Sequence, residues 1–85
     1  MSPLIPATER IQRARKLIQK ARDLPVPEDG GKYNFSYIAL VKDYLRQARD
    51  LVKFIPSTPS ATPEMKEEVK KIFAEADQAN QEILH

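Results

Sequence analysis

The stretch "YIALVKDYLRQARDLVKFI", residues 37–55, carries the pattern that decides the fold. Its apolar residues recur at alternating steps of three and four, which places them on one face of an α-helix and is not the alternation of a strand. The residues of this face are Ile38, Val41, Leu45, Ala48, Val52 and Ile55. Because "FS" before the stretch adds no helix breaker, we predict a helix over residues 35–55.

The same spacing occurs on both sides of this stretch. It predicts a first helix over residues 7–24 and a third over residues 63–84. The apolar face of the first is Leu4, Ala7, Ile11, Ala14, Ile18 and Ala21, and that of the third is Met65, Val69, Ile72, Ala76, Ala79 and Ile83. Segments rich in Pro, Gly and Ser/Thr predict loops at 25–34 and 56–62. We therefore predict an all-α fold, an antiparallel (up-down-up) three-helix bundle that forms a single domain over residues 1–85.

The tetrapeptide "ARDL" occurs twice, at residues 21–24 and 48–51. When the predicted helices fold back on one another, the Ala of each copy faces a larger aliphatic residue, as interdigitating cores require. The predicted layers are Ile11/Ala48/Ile72, Ala14/Leu45/Ala76, Ile18/Val41/Ala79 and Ala21/Ile38/Ile83. We interpret the two copies as one packing solution used twice, and not as a repeat or a binding motif.

Charge is distributed unevenly along a chain whose net charge is only +2. Residues 9–24 contain six Lys/Arg and two acids, whereas residues 63–85 contain three Lys and six acids. In the predicted bundle the first and third helices run side by side, so these charges can meet. The predicted pairs are Arg15 with Glu75 and Arg22 with Glu82. Exposed pairs of this kind add little stability, but they favour one arrangement of helices over others.

Residues suited to catalysis or metal binding are sparse. The chain has no Cys, and its one His is the terminal residue His85. A Ser-His or Cys-His pair, a Cys/His metal cluster and a glycine-rich phosphate loop cannot be assembled from the remaining residues. We therefore expect a protein that is not an enzyme and has no cofactor. No apolar run reaches membrane-spanning length and the first ten residues do not resemble a signal peptide, so we expect a cytoplasmic protein without membrane insertion.

The seam between the second and third helices is the one expected to close least well. Lys42 and Arg49 flank it on the second helix, and Lys66, Phe73 and Asn80 flank it on the third. Two positive rims and a large aromatic ring pack poorly against each other. We predict that Lys42, Arg49, Phe73 and Asn80 border a groove that binds a partner.

Two other surfaces are candidates for binding. Arg13, Lys16 and Lys20 lie on the outer face of the first helix without an acidic partner in the predicted bundle, and they predict either an anion-binding face or a solvated helix face. Phe35, Leu40 and Phe54 lie off the apolar face of the second helix. They either pack under the loops or form an exposed surface for a partner or for self-association.

Four segments of the chain resemble the microtubule-interacting-and-transport (MIT) domains. They are "ARKLIQKARDL" at 14–24, "GKY" at 31–33, "YLRQARDLVKFI" at 44–55 and "FAEADQANQEIL" at 73–84. Those domains are short antiparallel three-helix modules that bind helical or extended tail motifs in grooves between their helices. By this resemblance, Lys42, Arg49, Phe73 and Asn80 would border such a groove.

Together these observations predict a non-catalytic protein-protein interaction module that docks a helix or tail of a partner. We expect it to be a monomer or a weak homodimer. Two alternatives stay open. One is an accessory protein that binds nucleic acid or another polyanion through the basic face of the first helix. The other is a structural, homo-oligomeric helical subunit.

Overall fold

The structure is a computed structural model that describes residues 6–84. This part of the chain contains three α-helices and no strand. Helix α1 spans Ala7–Asp23, α2 spans Phe35–Val52 and α3 spans Pro63–Leu84. Each helix packs against the other two. The predicted all-α three-helix bundle is therefore confirmed. Leu4 and His85, both named above, lie outside the described residues.

The core is built from one face of each helix, and every buried side chain in residues 6–84 is apolar. Its fully enclosed positions combine alanines with larger aliphatic side chains, and such a mixture of sizes lets a close-packed interior interdigitate. The buried residues are Ile11, Ala14, Ile18, Ala21, Tyr37, Val41, Leu45, Ala48, Val52, Ile55, Val69, Ile72, Ala76 and Ala79. Both ARDL alanines belong to this set, with exposed fractions of 0%.

Tyr37 takes the core position that the spacing assigns to Ile38. Tyr37 is 7% exposed, whereas Ile38 is half-buried and lies outside the set of side chains packed on the core. The prediction of Ile38 as a core residue is therefore wrong. The physical reason is that α2 packs more extensively on α1 than on α3. Tyr37 shares its face of α2 with Leu51, fourteen residues further on, which lies beside Leu17 of α1.

Side-chain caps fix where α2 and α3 begin. The backbone N–H of Tyr37 donates to Asn34 Oδ1 over 3.1 Å, and the N–H of Met65 donates to Thr62 Oγ1 over 3.1 Å. Each bond satisfies a backbone donor that has no partner inside its own helix. Upstream of the first cap, Gly30 has φ +83° and Gly31 has φ +54°, a left-handed conformation that glycine adopts without strain.

Helix α2 ends at Val52, three residues before the predicted end at residue 55. Pro56 has no N–H to donate to the Val52 carbonyl, and its ring would clash with that carbonyl in a continuing helix. The chain instead tightens into a 3-10 turn over Ile55–Ser57. Ile55 is 4% exposed in this turn, so the prediction that it belongs to the core is confirmed although it lies outside α2.

Ion pairs join α1 to α3 along one side of the bundle. Arg22 Nη1 lies 2.5 Å from Glu82 Oε2, and Arg15 Nε lies 3.8 Å from Glu75 Oε2, so both predicted pairs are present. Arg15 also donates a hydrogen bond to Glu68, a partner that the spacing did not predict. These pairs advance in step along the two helices, as expected of an up-down-up bundle.

Replacing Leu45 with Ala tests the core directly, because Leu45 is 1% exposed at the centre of α2. We expect the free energy of unfolding to fall by about 2–5 kcal/mol, the usual cost of deleting a buried leucine side chain. Leu40→Ala makes the same change five residues earlier on the same helix, where the side chain is 42% exposed. That control is expected to change the free energy by no more than about 0.5 kcal/mol. Urea unfolding followed by circular dichroism measures both, and a loss under ~1 kcal/mol for Leu45→Ala would contradict the packing described.

Acid is expected to weaken the contact between α1 and α3. The hydrogen bond from Arg15 lowers the pKa of Glu68, and that from Arg22 lowers the pKa of Glu82. A carboxyl whose pKa is lower in the folded state stabilises the fold above its unfolded pKa, about 4.3 for Glu, and this contribution is lost as pH falls through the folded pKa. The free energy of unfolding should therefore decline as pH falls from about 5.

The variant Glu68→Gln/Glu82→Gln isolates this effect. Its free energy of unfolding should be below that of the unmodified protein at pH 7, and the difference should shrink as pH falls to about 3. Glu67→Gln is the control, since Glu67 pairs with Lys70 of its own helix. Urea titrations at a series of pH values measure the difference, and a difference independent of pH would rule out this account.

Candidate functional site

A groove runs between α2 and α3 on the side of the bundle away from α1. Its volume is about 380 Å³. The residues that line it are Lys42, Leu45, Arg46, Arg49, Asp77 and Asn80. Helical spacing brings them together: steps of four and three on α2, and a step of three on α3, each place side chains on one face. Leu45, which is almost fully buried, contributes an apolar element to this otherwise polar lining.

Positive charge dominates the groove, which has three cationic side chains and one carboxylate. Arg49 Nη1 lies 3.8 Å from Asp77 Oδ1, a distance at which the two charges attract without forming a short hydrogen bond. Lys42 makes no ion pair with any residue between 6 and 84. The groove therefore keeps a positive charge that its own aspartate does not neutralise.

Arg46 is the most restrained of the three cations. Its Nη2 lies 2.5 Å from Asp43 Oδ1 and its Nη1 lies 3.7 Å from Asp50 Oδ2, both on the same helix. The hydrogen bond from Arg46 lowers the pKa of Asp43, and the same bond raises the pKa of Arg46, so both groups are charged near neutral pH. Lys42 and Arg49 are consequently the cations better placed to meet a ligand.

Three of the four residues predicted for the groove line it: Lys42, Arg49 and Asn80. Phe73 does not line it, because its half-buried ring packs against the core instead. The sequence reasoning missed Arg46 and Asp77. A signal for both was present, since Arg46 follows Lys42 by four residues and Asp77 precedes Asn80 by three, each on the same helix face as its neighbour.

The basic face of α1 differs from its prediction at one residue. Arg13 Nη2 lies 3.0 Å from Glu9 Oε1 one turn earlier, so the expectation that Arg13 lacks an acidic partner is wrong. This pair lies within one helix, at a spacing of four residues, and the predicted pairs were all between helices. Lys16 and Lys20 are exposed, and neither forms an ion pair with another described residue. The face thus has two cations without an ion-pair partner among the described residues, and not three.

The three apolar residues predicted to lie off the core face of the second helix are exposed to solvent. Phe35 is 89% exposed, Phe54 is 66% exposed and Leu40 is 42% exposed. Lys53 Nζ lies 5.1 Å from the ring centroid of Phe54, a cation–π distance. The alternative in which these side chains pack under the loops is therefore wrong.

Size does not single out the α2–α3 groove. Three other cavities have similar volumes: about 450 Å³ under the second loop beside Phe54, about 430 Å³ between α1 and α3 beside Arg15, and about 300 Å³ between α1 and α2 beside Leu17. What distinguishes the α2–α3 groove is its lining, where cations from successive turns of one helix converge. We therefore base the functional argument on charge and not on volume.

The described residues contain neither a candidate metal-binding cluster nor a membrane-spanning helix. Within 6–84, no three His, Asp or Glu side chains are grouped so as to hold a metal ion. In the same range, none of the helices has the length and apolar character needed to span a membrane.

Comparison with protein-family models, with curated proteins and with solved structures found no significant match. The resemblance to MIT domains therefore stays a prediction that rests on the four segments quoted above.

Proposed function

We propose that this protein is a non-catalytic docking module whose α2–α3 groove binds a helix or an extended tail of a partner protein. The observation that carries the proposal is the lining of that groove, where Lys42 and Arg49 flank the buried Leu45 on one side and Asn80 lies opposite. Binding of a partner's helix in a surface groove is a recurring mode of peptide recognition, and Leu45 supplies the apolar contact that such a helix needs.

The chemistry of the lining suits binding more than reaction. Ammonium, guanidinium and amide groups donate hydrogen bonds, and a guanidinium does not give up its proton under physiological conditions. The one carboxylate, Asp77, faces Arg49 across the groove. These groups can hold carbonyl oxygens, carboxylates and amides of a peptide in a fixed orientation.

The exposed aromatic residues support a second candidate, a homo-oligomeric helical subunit. Phe35 is the first residue of α2, Phe54 lies two residues beyond its end, and both side chains expose most of their surface. A contiguous exposed apolar patch can mark a surface that another chain covers. A mass that doubles with concentration in light scattering, and reverts in Phe35→Ser/Phe54→Ser, would favour this candidate over the docking module.

Paired charge removals test the docking proposal. Lys42→Gln/Arg49→Gln removes two positive charges from the groove, and Lys16→Gln/Lys20→Gln removes two from the outer face of α1. Each variant and the unmodified protein are immobilised and exposed to lysate of the native source, with and without nuclease. We expect one partner protein to bind the unmodified protein and the α1 variant, to be lost with the groove variant, and to be unaffected by nuclease.

Other outcomes of this capture reject the proposal. A partner that is lost with the α1 variant but kept by the groove variant, and that nuclease also removes from the unmodified protein, would establish the nucleic-acid alternative instead. Equal capture by all three proteins would place binding outside both basic surfaces. Circular dichroism spectra and thermal midpoints of each variant confirm that a loss of binding is not a loss of fold.

A further inference from the structure

We infer that the occupant of the α2–α3 groove is an acidic segment of a partner protein that also carries an apolar side chain at one end. The inference rests on the proposed docking function and specifies the chemistry of the partner. It is carried by the charges of the groove and by an exposed apolar site on the same face of α2.

The cations of the groove differ in how strongly they are paired with aspartates of the protein, and this difference determines which of them are available to an acidic ligand. Arg46 is held by Asp43 and Asp50, while Arg49 has only a 3.8 Å contact with Asp77. Lys42 has no ion pair among residues 6–84. A carboxylate from a partner would therefore find an ammonium group with no competing anion and a guanidinium that is weakly paired. Arg can bind a carboxylate through two parallel hydrogen bonds.

The spacing of these cations fits the spacing of side chains along a helix. Lys42 and Arg49 are seven residues apart, which is two helical turns and about 10 Å. A helix lying along the groove presents residues seven apart at the same interval and on one face. Two acids seven residues apart on such a helix, with or without a further acid between them, would therefore meet Lys42 and Arg49 together.

An apolar site extends the groove face beyond Lys42. Phe35 lies seven residues before Lys42 and so shares its face of α2, again about 10 Å away. Its side chain is 89% exposed, the largest exposed fraction among the exposed large apolar residues of the described chain. Ile38 lies between the two and is half-buried without packing on the core. An apolar residue of the partner, about two turns from its first acid, would cover this site.

Carboxylates on the rim favour a protein segment over a nucleic acid. Asp43 and Asp50 lie beside Arg46, and Asp77 lies 3.8 Å from Arg49. A phosphate backbone carries charge at every step, so some phosphates would be forced against these aspartates. A peptide can place neutral residues opposite the aspartates and acids opposite Lys42 and Arg49. The mixed charge of the groove is therefore a pattern that only a ligand with separated charges can match.

Selection from an unbiased library tests this inference without knowledge of the natural partner. A phage-displayed library of random peptides of about 16 residues, enough for a helix of about 24 Å, is panned on the unmodified protein. Enriched peptides are then tested on Lys42→Gln/Arg49→Gln, on Phe35→Ser and on the control Lys70→Gln/Lys71→Gln. The control removes two charges from α3 residues that do not line the groove.

We expect the peptides that need the groove to be net acidic and to contain an apolar residue. Fluorescence anisotropy should give a Kd that rises about tenfold or more in the groove variant, rises in Phe35→Ser, and stays unchanged in the control. Affinity should also weaken as salt is raised, since the rim is exposed to solvent.

The outcomes separate this inference from the function on which it rests. Peptides that need Lys42 and Arg49 but are neutral or basic would overturn the acidic partner and leave the docking function in place. A selection that yields no peptide dependent on those residues would overturn both. Tighter groove-dependent binding of a labelled single-stranded DNA oligonucleotide than of any selected peptide would identify a polyanion ligand. Groove-dependent dimerisation in sedimentation velocity would identify a second copy of the chain; either result rejects the inference.

Discussion

The close approach of three helices through buried alanines is the constraint on which the rest of this structure depends. Ala14, Ala21, Ala48, Ala76 and Ala79 have exposed fractions of 0%. Each leaves room for a larger neighbour such as Leu45 or Ile72, and so the helices approach closely enough to exclude water over a short seam. In an 85-residue chain, which buries a smaller share of its surface than a larger domain, this economy of volume is what makes a core achievable.

A thin core also determines where binding surfaces arise. Because the seam positions are small, the residues that flank the seams decide whether two helices close over each other or leave a channel. Between α1 and α3 the flanks carry opposite charges, and Arg15 and Arg22 form ion pairs across that side. Between α2 and α3 the flanks are mostly cationic, and the ion pair that crosses the groove is the 3.8 Å contact of Arg49 with Asp77. The groove thus follows from the same sequence pattern that builds the core, and binding there need not disturb the packing beneath.

The predictability of each feature depended on how local its cause is. The start of helix α3 at Pro63 was predicted because the segment rich in Pro and Ser/Thr, which marks the preceding loop, ends at residue 62. The end of α2 was missed because Pro56 acts on Val52, four residues upstream, while Ile55 keeps its buried position without remaining helical. Tyr37 replaces Ile38 in the core for a reason that periodicity cannot supply, namely the unequal contact of α2 with its two neighbours. Likewise, three groove residues were predicted from spacing. Phe73 instead packs its ring against the core, and this depends on the space available next to the core, which spacing does not give.

Apart from the hydroxyl of Tyr37, the buried side chains of residues 6–84 are hydrocarbon. Such a core does little to favour one alignment of the helices over the next by hydrogen bonding. Alignment is instead specified from outside, by the caps Asn34 and Thr62, by Pro56 and by the surface ion pairs. Core residues can therefore drift among aliphatic alternatives of equal volume during evolution. The features expected to persist in related proteins are the surface charges and the capping and proline residues of the loops. Relatives of this protein would therefore be recognised by these positions more readily than by the core.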